Sequence, residues 1–256
     1  MELGIEGRVA LVTASSKGIG FACAAALAAE GVRVCLSSRS GENLEAARLR
    51  LKSETGAEAA AVHCDMRDPA SIRELCRQVE GLLGPPDILV NNTGGPKPGK
   101  FFDLDNDDWD EGYRLLMLST AVLYRRLVPA MREKRWGRVV NITSSSTRQP
   151  IAGLTLSNAF RPGVAGLAKT VADEVAADGV LVATVMPGIT ATERMRELSG
   201  VRGEDSMLRR LQEQVPLGRA ADPSELGAVV AFLCSERASF VTGSVIAVDG
   251  GSIRGI

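Results

Sequence analysis

The sequence predicts one α/β domain, a seven-stranded parallel sheet with helices on both faces. Three observations predict it. Apolar strand-like runs alternate with helical stretches from end to end. A length of 256 residues suits one large α/β domain or two small ones, and no stretch reads as an inter-domain linker or repeat, so one domain over 1–256 is the simplest account. A glycine-bearing turn joins the first strand to the first helix, where such folds bind ligands.

Each element follows in order. Val9–Thr13 is an apolar run with β-branched residues, and the Ala-rich stretch Gly18–Glu30 that follows it stops at Gly31. Val32–Ser38 is the second strand, and Glu42–Ser53 carries apolar residues at three- and four-residue spacing. The third strand is expected over Ala57–Asp65, and Pro69 and Ser71 open a helix running to Leu83. Asp87–Asn92, the long helix Asp107–Lys134, Gly137–Thr143, the helix Leu154–Ala177 and Val180–Pro187 repeat the alternation, with Gly179 as a helix stop. The acidic run from Asp103 to Glu111 is read as capping the long helix and complementing its dipole. Pro223–Ser235 and the strand Ser244–Gly250 complete the pattern. The segment 192–218 is charged yet carries Met195, Leu198, Met207, Leu208 and Leu211, and reads either as a surface helix pair or as a lid over a pocket.

Composition narrows the function classes. Lys and Arg number 30 against 31 Asp and Glu, so no basic surplus supports nucleic-acid binding. One histidine, His63, excludes a zinc site built on several histidines, and no metal site is expected. Two tyrosines, Tyr113 and Tyr124, leave few groups for proton transfer near neutral pH. The five cysteines include no C-x-x-C pair and are read as buried free thiols of a reducing compartment. No apolar run approaches the roughly 18 residues that span a bilayer, and no signal region precedes the first strand, so a soluble cytoplasmic protein is expected.

The turn Thr13-Ala14-Ser15-Ser16-Lys17-Gly18-Ile19-Gly20 has the context a dinucleotide pyrophosphate needs, with glycines for close backbone approach and a helix N-terminus for its N–H donors. Dinucleotide sites often end the second strand on a carboxylate for the ribose 2′-hydroxyl, but here stand Ser37-Ser38-Arg39. Arg39 and Lys17 favour a 2′-phosphate, so NADP(H) is preferred over NAD(H); the alternative makes Arg39 a solvated residue at a helix start.

With TASSKGIG (Thr13 to Gly20), Cys64-Asp65, NNTGG (Asn91 to Gly95), NITSSS (Asn141 to Ser146), PGITAT (Pro187 to Thr192) and VTGSVIAVDGG (Val241 to Gly251) in this order, the chain resembles the short-chain dehydrogenase/reductase family over essentially its whole length. The type is classical and 3-oxoacyl-acyl-carrier-protein-reductase-like, although Ala14 stands where the family commonly has its first glycine. The resemblance implies a Rossmann-type, doubly wound sheet in the order 3-2-1-4-5-6-7. It further implies cofactor contacts from Thr13, Ser15, Ser16, Lys17, Gly18, Ile19 and Gly20, from Ser38 and Arg39, and from Asp65 and Met66 at the adenine. Asn91, Asn92, Thr93 and Gly94 would line the cofactor, and Pro187, Gly188, Ile189 and Thr192 would hold its carboxamide end. The region Pro223–Ile256 resembles the surface on which family members assemble, implying a homo-oligomer, dimer or tetramer; a monomer is the alternative.

Family members use a Ser, and thirteen residues later a Tyr of a Y-x-x-x-K motif, often with a helper Asn. Ser144 is in place, but the motif reads Ser157-Asn158-Ala159-Phe160-Arg161, and no tyrosine follows Tyr124. The helper position falls near Leu116 or Met117. A serine hydroxyl is a far weaker acid than a phenol of pKa about 10. Arginine does not deliver a proton, but it stabilises an oxyanion or clasps a carboxylate. The candidate catalytic set is therefore Ser144, Ser157 and Arg161, with a structural ion pair as the alternative for Arg161. His63, Tyr113 and Tyr124 are read as structural. The loop Gly94–Lys100, with Arg148 and Arg161, is either a cationic mouth for an anionic small-molecule substrate or an ordinary solvated loop. The expected function is NADP(H)-dependent hydride transfer between a carbonyl and an alcohol. The alternatives are a non-redox cyclase, isomerase or lyase on the same scaffold, or an inactive NADP(H)-binding protein.

Overall fold

The computed structural model describes residues 2–195 and 213–255. Seven parallel strands form one sheet in the order β3-β2-β1-β4-β5-β6-β7. They are β1 (Val9–Val12), β2 (Arg33–Ser38), β3 (Ala60–His63), β4 (Ile88–Asn91), β5 (Gly137–Ile142), β6 (Val180–Pro187) and β7 (Val245–Val248). The helices between them are α1 (Gly18–Ala29), α2 (Gly41–Thr55), α3 (Pro69–Leu83), α4 (Asn106–Tyr113), α5 (Ser119–Glu133), α6 (Thr155–Val175) and α7 (Pro223–Leu233).

The central strands are buried on both faces, which is why their sequences are mostly apolar without alternation, broken only by the buried Asn91, Arg138 and Asn141. The period of two then sorts side chains into two cores. Ala10, Val12, Val34, Leu36, Ile88 and Val90 join α1, α2 and α7, while Leu11, Cys35, Leu89, Val139 and Val182 join α3, α5 and α6. Helices α1 and α7 pack so closely that a Cβ on Gly227 would come within 2.6 Å of the Ala22 carbonyl oxygen. The outer strands β3 and β7 are less buried because each has a neighbour on one side only, and both are shorter than expected, four residues each.

The acidic run caps as expected: Asp105 Oδ1 accepts from the Asp108 amide at 2.9 Å, and Asp108 Oδ2 accepts from the Asp105 amide at 3.1 Å. Asp222 and Glu225 form the same reciprocal pair at α7, while Ser40 and Asp68 cap α2 and α3 by accepting from one amide each. Helices α1 and α6 have no side-chain cap. The long helix expected over Asp107–Lys134 is one helical run from α4 to α5, but it widens into a π-turn at Arg114–Leu118. There Ser119 Oγ donates to the Leu115 carbonyl at 2.6 Å and Thr120 Oγ1 to the Leu116 carbonyl at 2.7 Å, side-chain bonds that compete for carbonyls of that turn. All five cysteines are buried and free. No helix among the described residues is long and apolar enough to cross a membrane.

Candidate active site

At the carboxyl ends of the strands opens a cleft of about 640 Å³, walled by the turns after β1, β2, β3, β4, β5 and β6. Its floor at one end is the turn into α1. Ala14 adopts φ 45°, in the left-handed region that suits glycine better, and its carbonyl accepts from Asn92 Nδ2 at 3.1 Å. A Cβ on Gly20 would meet that same carbonyl at 2.4 Å, so the first turn of α1 needs a glycine at this position. With no side-chain cap and no acidic residue in its first turn, α1 turns open backbone donors and its positive dipole end to the cleft.

Most of the residues that the motifs single out for a cofactor line this cleft. Ser16, Lys17, Gly18, Ile19, Ser38 and Arg39 form one wall, and Asp65 and Met66 the far corner. Asn92, Thr93 and Gly94 lie behind β4, and Pro187, Gly188, Ile189 and Thr192 at the end of β6. Four others sit beneath the surface as framework. Thr13 Oγ1 donates to the Asn92 carbonyl at 2.6 Å and accepts from its amide at 2.9 Å. Ser15 Oγ donates to the Val12 carbonyl and accepts from the Ser37 amide. Asn91 Nδ2 donates to Thr120 Oγ1 and Asn141 Oδ1, and Gly20 is wedged as described.

Ion pairs qualify the electrostatics. Arg67 grips Asp65 with Nε at 3.0 Å and Nη2 at 2.6 Å, holding that carboxyl below the usual range, and its Nη1 reaches Glu111 on α4 at 2.9 Å. Lys17 pairs with Glu193, and Lys97 pairs with Asp108 at 2.7 Å. Arg39 is exposed at the cleft wall beside Ser38, whose Oγ accepts from Ser16 at 2.9 Å. Arg194 Nη2 donates to the Pro96 carbonyl at 3.3 Å and lies over Gly95. Of the expected lid 192–218, Thr192–Met195 line the rim and Val215 packs on Gly250, while 196–212 lie outside the described residues.

At the other end of the cleft the β5–α6 connection brings Ser144, Ser157 and Arg161 together. Arg161, only 8% exposed, donates from Nε to Ser157 Oγ at 3.0 Å and from Nη1 to the Thr143 and Ile142 carbonyls at 2.8 and 3.2 Å. No carboxylate among the described residues pairs with it, and burial pushes its guanidinium down to about 10. It remains a cation at neutral pH. Ser157 Oγ also shares a 2.9 Å hydrogen bond with Ser146 Oγ, and Ser144 Oγ accepts from the Ser146 amide at 3.1 Å. When Ser146 is the donor, the Ser157 hydroxyl hydrogen is left for a ligand oxygen. Ser146 was missed by the spacing argument, although its presence in Ser144-Ser145-Ser146 was a signal.

The other proton carriers stand apart. Tyr124 is buried and donates to Asn141 Oδ1 at 2.9 Å, and burial pushes its phenol well up. Tyr113 belongs to an outer aromatic cluster with Phe160, Trp109 and Phe101. His63 is exposed at the end of β3, and neither it, the tyrosines nor Arg148 lines the cleft. The π-turn puts Leu115 against the cleft and Leu116 against a small void of about 10 Å³ shared with Asn91, Thr93, Thr120, Thr143 and Arg161. No group of three or more metal-ligating side chains is found among the described residues.

Comparison with known proteins agrees with this geometry. Residues 13–252 match the family model described as enoyl-(acyl carrier protein) reductase. The chain is 35% identical over 251 residues to the 3-oxoacyl-acyl-carrier-protein reductase of Aquifex aeolicus, covering 98% of this chain and 99% of that one. The L-sorbose reductase of Gluconobacter frateurii, solved with NADPH and L-sorbose, superposes with a TM-score of 0.94 at 32% identity over 100% of both chains. A short-chain oxidoreductase of Pseudomonas aeruginosa PAO1 containing an atypical catalytic center superposes with a TM-score of 0.91 at 31% identity, over 99% of this chain and 100% of that one. The chain belongs to the short-chain dehydrogenase/reductase family, on the 3-oxoacyl-acyl-carrier-protein-reductase-like side of it.

Proposed function

We propose that the protein is an NADP(H)-dependent reductase or dehydrogenase of small carbonyl or alcohol substrates, working through a Ser–Ser–Arg site. The observation that carries the reading is the Arg161 Nε to Ser157 Oγ hydrogen bond at 3.0 Å, made by a buried cation at the wall of the cleft that has no carboxylate partner among the described residues.

The residues present fit a dinucleotide. The uncapped N-terminus of α1 suits a pyrophosphate, and a Cβ on Gly94 would meet nothing within 4 Å, so the wall behind β4 is open to a flat ring. Arg39 beside Ser38 supports a 2′-phosphate, and hence NADP(H) over NAD(H). Asp65 and Met66 would face the adenine, Asn92, Thr93 and Gly94 the middle of the cofactor, and Pro187, Gly188, Ile189 and Thr192 its carboxamide, over the framework of Thr13, Ser15, Gly20 and Asn91. When bound, the reduced nicotinamide supplies the hydride. Ser144 and Ser157 hold the substrate oxygen by hydrogen bonds, and Arg161 stabilises its developing negative charge. Arg161 does not titrate near neutral pH, so the proton comes from water.

Arg161 and the rim residue Arg194 support an anionic substrate. The fully exposed Phe102 and Phe240 support a homo-oligomer, and the five buried free thiols a reducing, cytoplasmic setting. The test is deuterium transfer from C4-labelled NADPH to a panel of carbonyl compounds, with purified protein. Label in the product is expected. Turnover that proceeds equally well without NADPH would assign the site to a non-redox enzyme instead.

A further inference from the structure

The end of the cleft away from Arg161 carries a charge cluster that involves more than Arg39. In the β2–β3 register Ser38 pairs with His63, and the Cys64 amide donates to the Ser38 carbonyl at 3.0 Å. Arg39 and Asp65 therefore leave adjacent strand ends, and both line the cleft. Arg67 lines it two residues further on, and Glu111 reaches it from α4.

Asp65 is held by Arg67 through backbone and side chain together. Its Oδ1 accepts from the Arg67 amide at 2.9 Å, an Asx-type turn that fixes the carboxylate at the start of the β3–α3 connection. The guanidinium folds back on the same carboxylate, Nε to Oδ1 at 3.0 Å and Nη2 to Oδ2 at 2.6 Å, the two-pronged geometry that makes such pairs strong. The remaining arm, Nη1, donates to Glu111 Oε1 at 2.9 Å, so the fork is braced on α4. These bonds hold the Asp65 carboxyl below its usual range, and the nearby Arg39 charge adds to the effect. Asp65 thus stands within electrostatic reach of two arginines and is hydrogen-bonded to Arg67.

That division matters to a phosphate. A phosphate monoester carries about −1.5 to −2 charges near neutral pH. A carboxylate near Arg39 opposes it twice, by repelling the phosphate and by competing for the Arg39 fork. Committed to Arg67 through both oxygens, Asp65 does neither. A ribose hydroxyl carries no charge, so a nucleotide without the 2′-phosphate is indifferent to the arrangement. The Arg67 and Asp65 side chains are 34% and 30% exposed, so water and salt screen the pair and the effect is moderate.

We propose that Arg67 is a specificity-determining residue for the 2′-phosphate, which it favours by gripping Asp65 and so keeping Arg39 for the phosphate. It is a positioning residue, acting through Asp65. The inference rests on the reading of the chain as an NADP(H)-binding enzyme.

The test is a set of dissociation constants at low salt, read by fluorescence for NADPH and NADH and by calorimetry for 2′,5′-ADP and 5′-AMP. In Arg67→Gln, NADPH and 2′,5′-ADP are expected to bind about tenfold more weakly, with NADH and 5′-AMP changed less than about threefold. Adding Asp65→Asn to that variant is expected to restore both phosphorylated ligands to within about threefold of wild type. Arg67→Lys, a point charge without the fork, should fall between. Thermal melting checks that each variant is folded. Equal weakening of all four ligands, no weakening, or no rescue by Asp65→Asn overturns the proposal while the cofactor reading stands. Wild-type protein that binds NADPH no more tightly than NADH overturns the preference for NADP(H) and this proposal with it.

Discussion

At the β1–α1 end of the cleft the backbone presents the binding groups, namely the uncapped N-terminus of α1 and a turn held by Thr13, Ser15 and Asn92. At the β5–α6 end side chains present them, through the Ser146–Ser157–Arg161 network. Both ends open on helices without side-chain caps, in a molecule whose α2, α3, α4 and α7 are all capped. A site made of backbone survives a change of side chain: Ala14 replaces a glycine and the turn still forms, at φ 45°. A site made of side chains keeps its place in the fold but changes chemistry when they change. The resemblance puts Ser157 and Arg161 where the family has a phenol and an amine; they are hydrogen-bonded to each other, and in the proposed function they offer charge and hydrogen bonds rather than a proton near neutral pH.

The comparison is sharpest at Arg161. Arg161→Met is expected to lower kcat/KM for hydride transfer by about 10²- to 10³-fold, as loss of an oxyanion donor does, while the Kd for NADPH changes less than about threefold. Steady-state kinetics beside fluorescence titration check this; an equal loss of NADPH binding would mean that the two ends are not separable. Arg39→Ala acts on the opposite end. It removes a charge-assisted contact of about 1.5–3 kcal/mol and should weaken NADPH by roughly 10- to 100-fold while leaving NADH nearly unchanged.

A pH profile separates the ends further. Burial lowers the Arg161 guanidinium to about 10 from an ordinary value above 12, so activity should fall about tenfold per unit as pH rises past about 10. The stability linkage has the opposite sign. Between those two values the unfolded chain binds the extra proton, so this group's contribution to stability rises with pH. Loss of rate without loss of the folded near-ultraviolet spectrum is therefore expected. The smallest effect belongs to the backbone end: Ala14→Gly should relieve left-handed strain, raising stability by about 1 kcal/mol with cofactor affinity unchanged, as read by denaturant titration.

Much of the fold was legible along the chain. Val9–Val12 and residues 88–90 are apolar without alternation because two helical layers cover them, and a doubly covered strand leaves that signature. The cap at Asp105, within the acidic run, was readable because its partner lies three residues away. The π-turn at Arg114–Leu118 was not, since it depends on how the hydroxyls of Ser119 and Thr120 share carbonyls with the helix. The same holds for Arg67 with Asp65 and Glu111, and for Lys17 with Glu193, whose pairing depends on where distant turns meet.

By itself the sequence determined the inventory: seven strands, a glycine turn before a helix, one serine in place, and no tyrosine beyond Tyr124. Periodicity and local turn chemistry are short-range properties, and a residue that is absent is absent from every fold. Only the tertiary structure decided that Arg161 is a buried cation hydrogen-bonded to Ser157 and that Ser146 joins Ser157. The same holds for Thr13, Ser15, Gly20 and Asn91, which support the cleft from beneath. Burial and pairing are set by which chain segments converge in space, and no spacing along one segment encodes the groups on another.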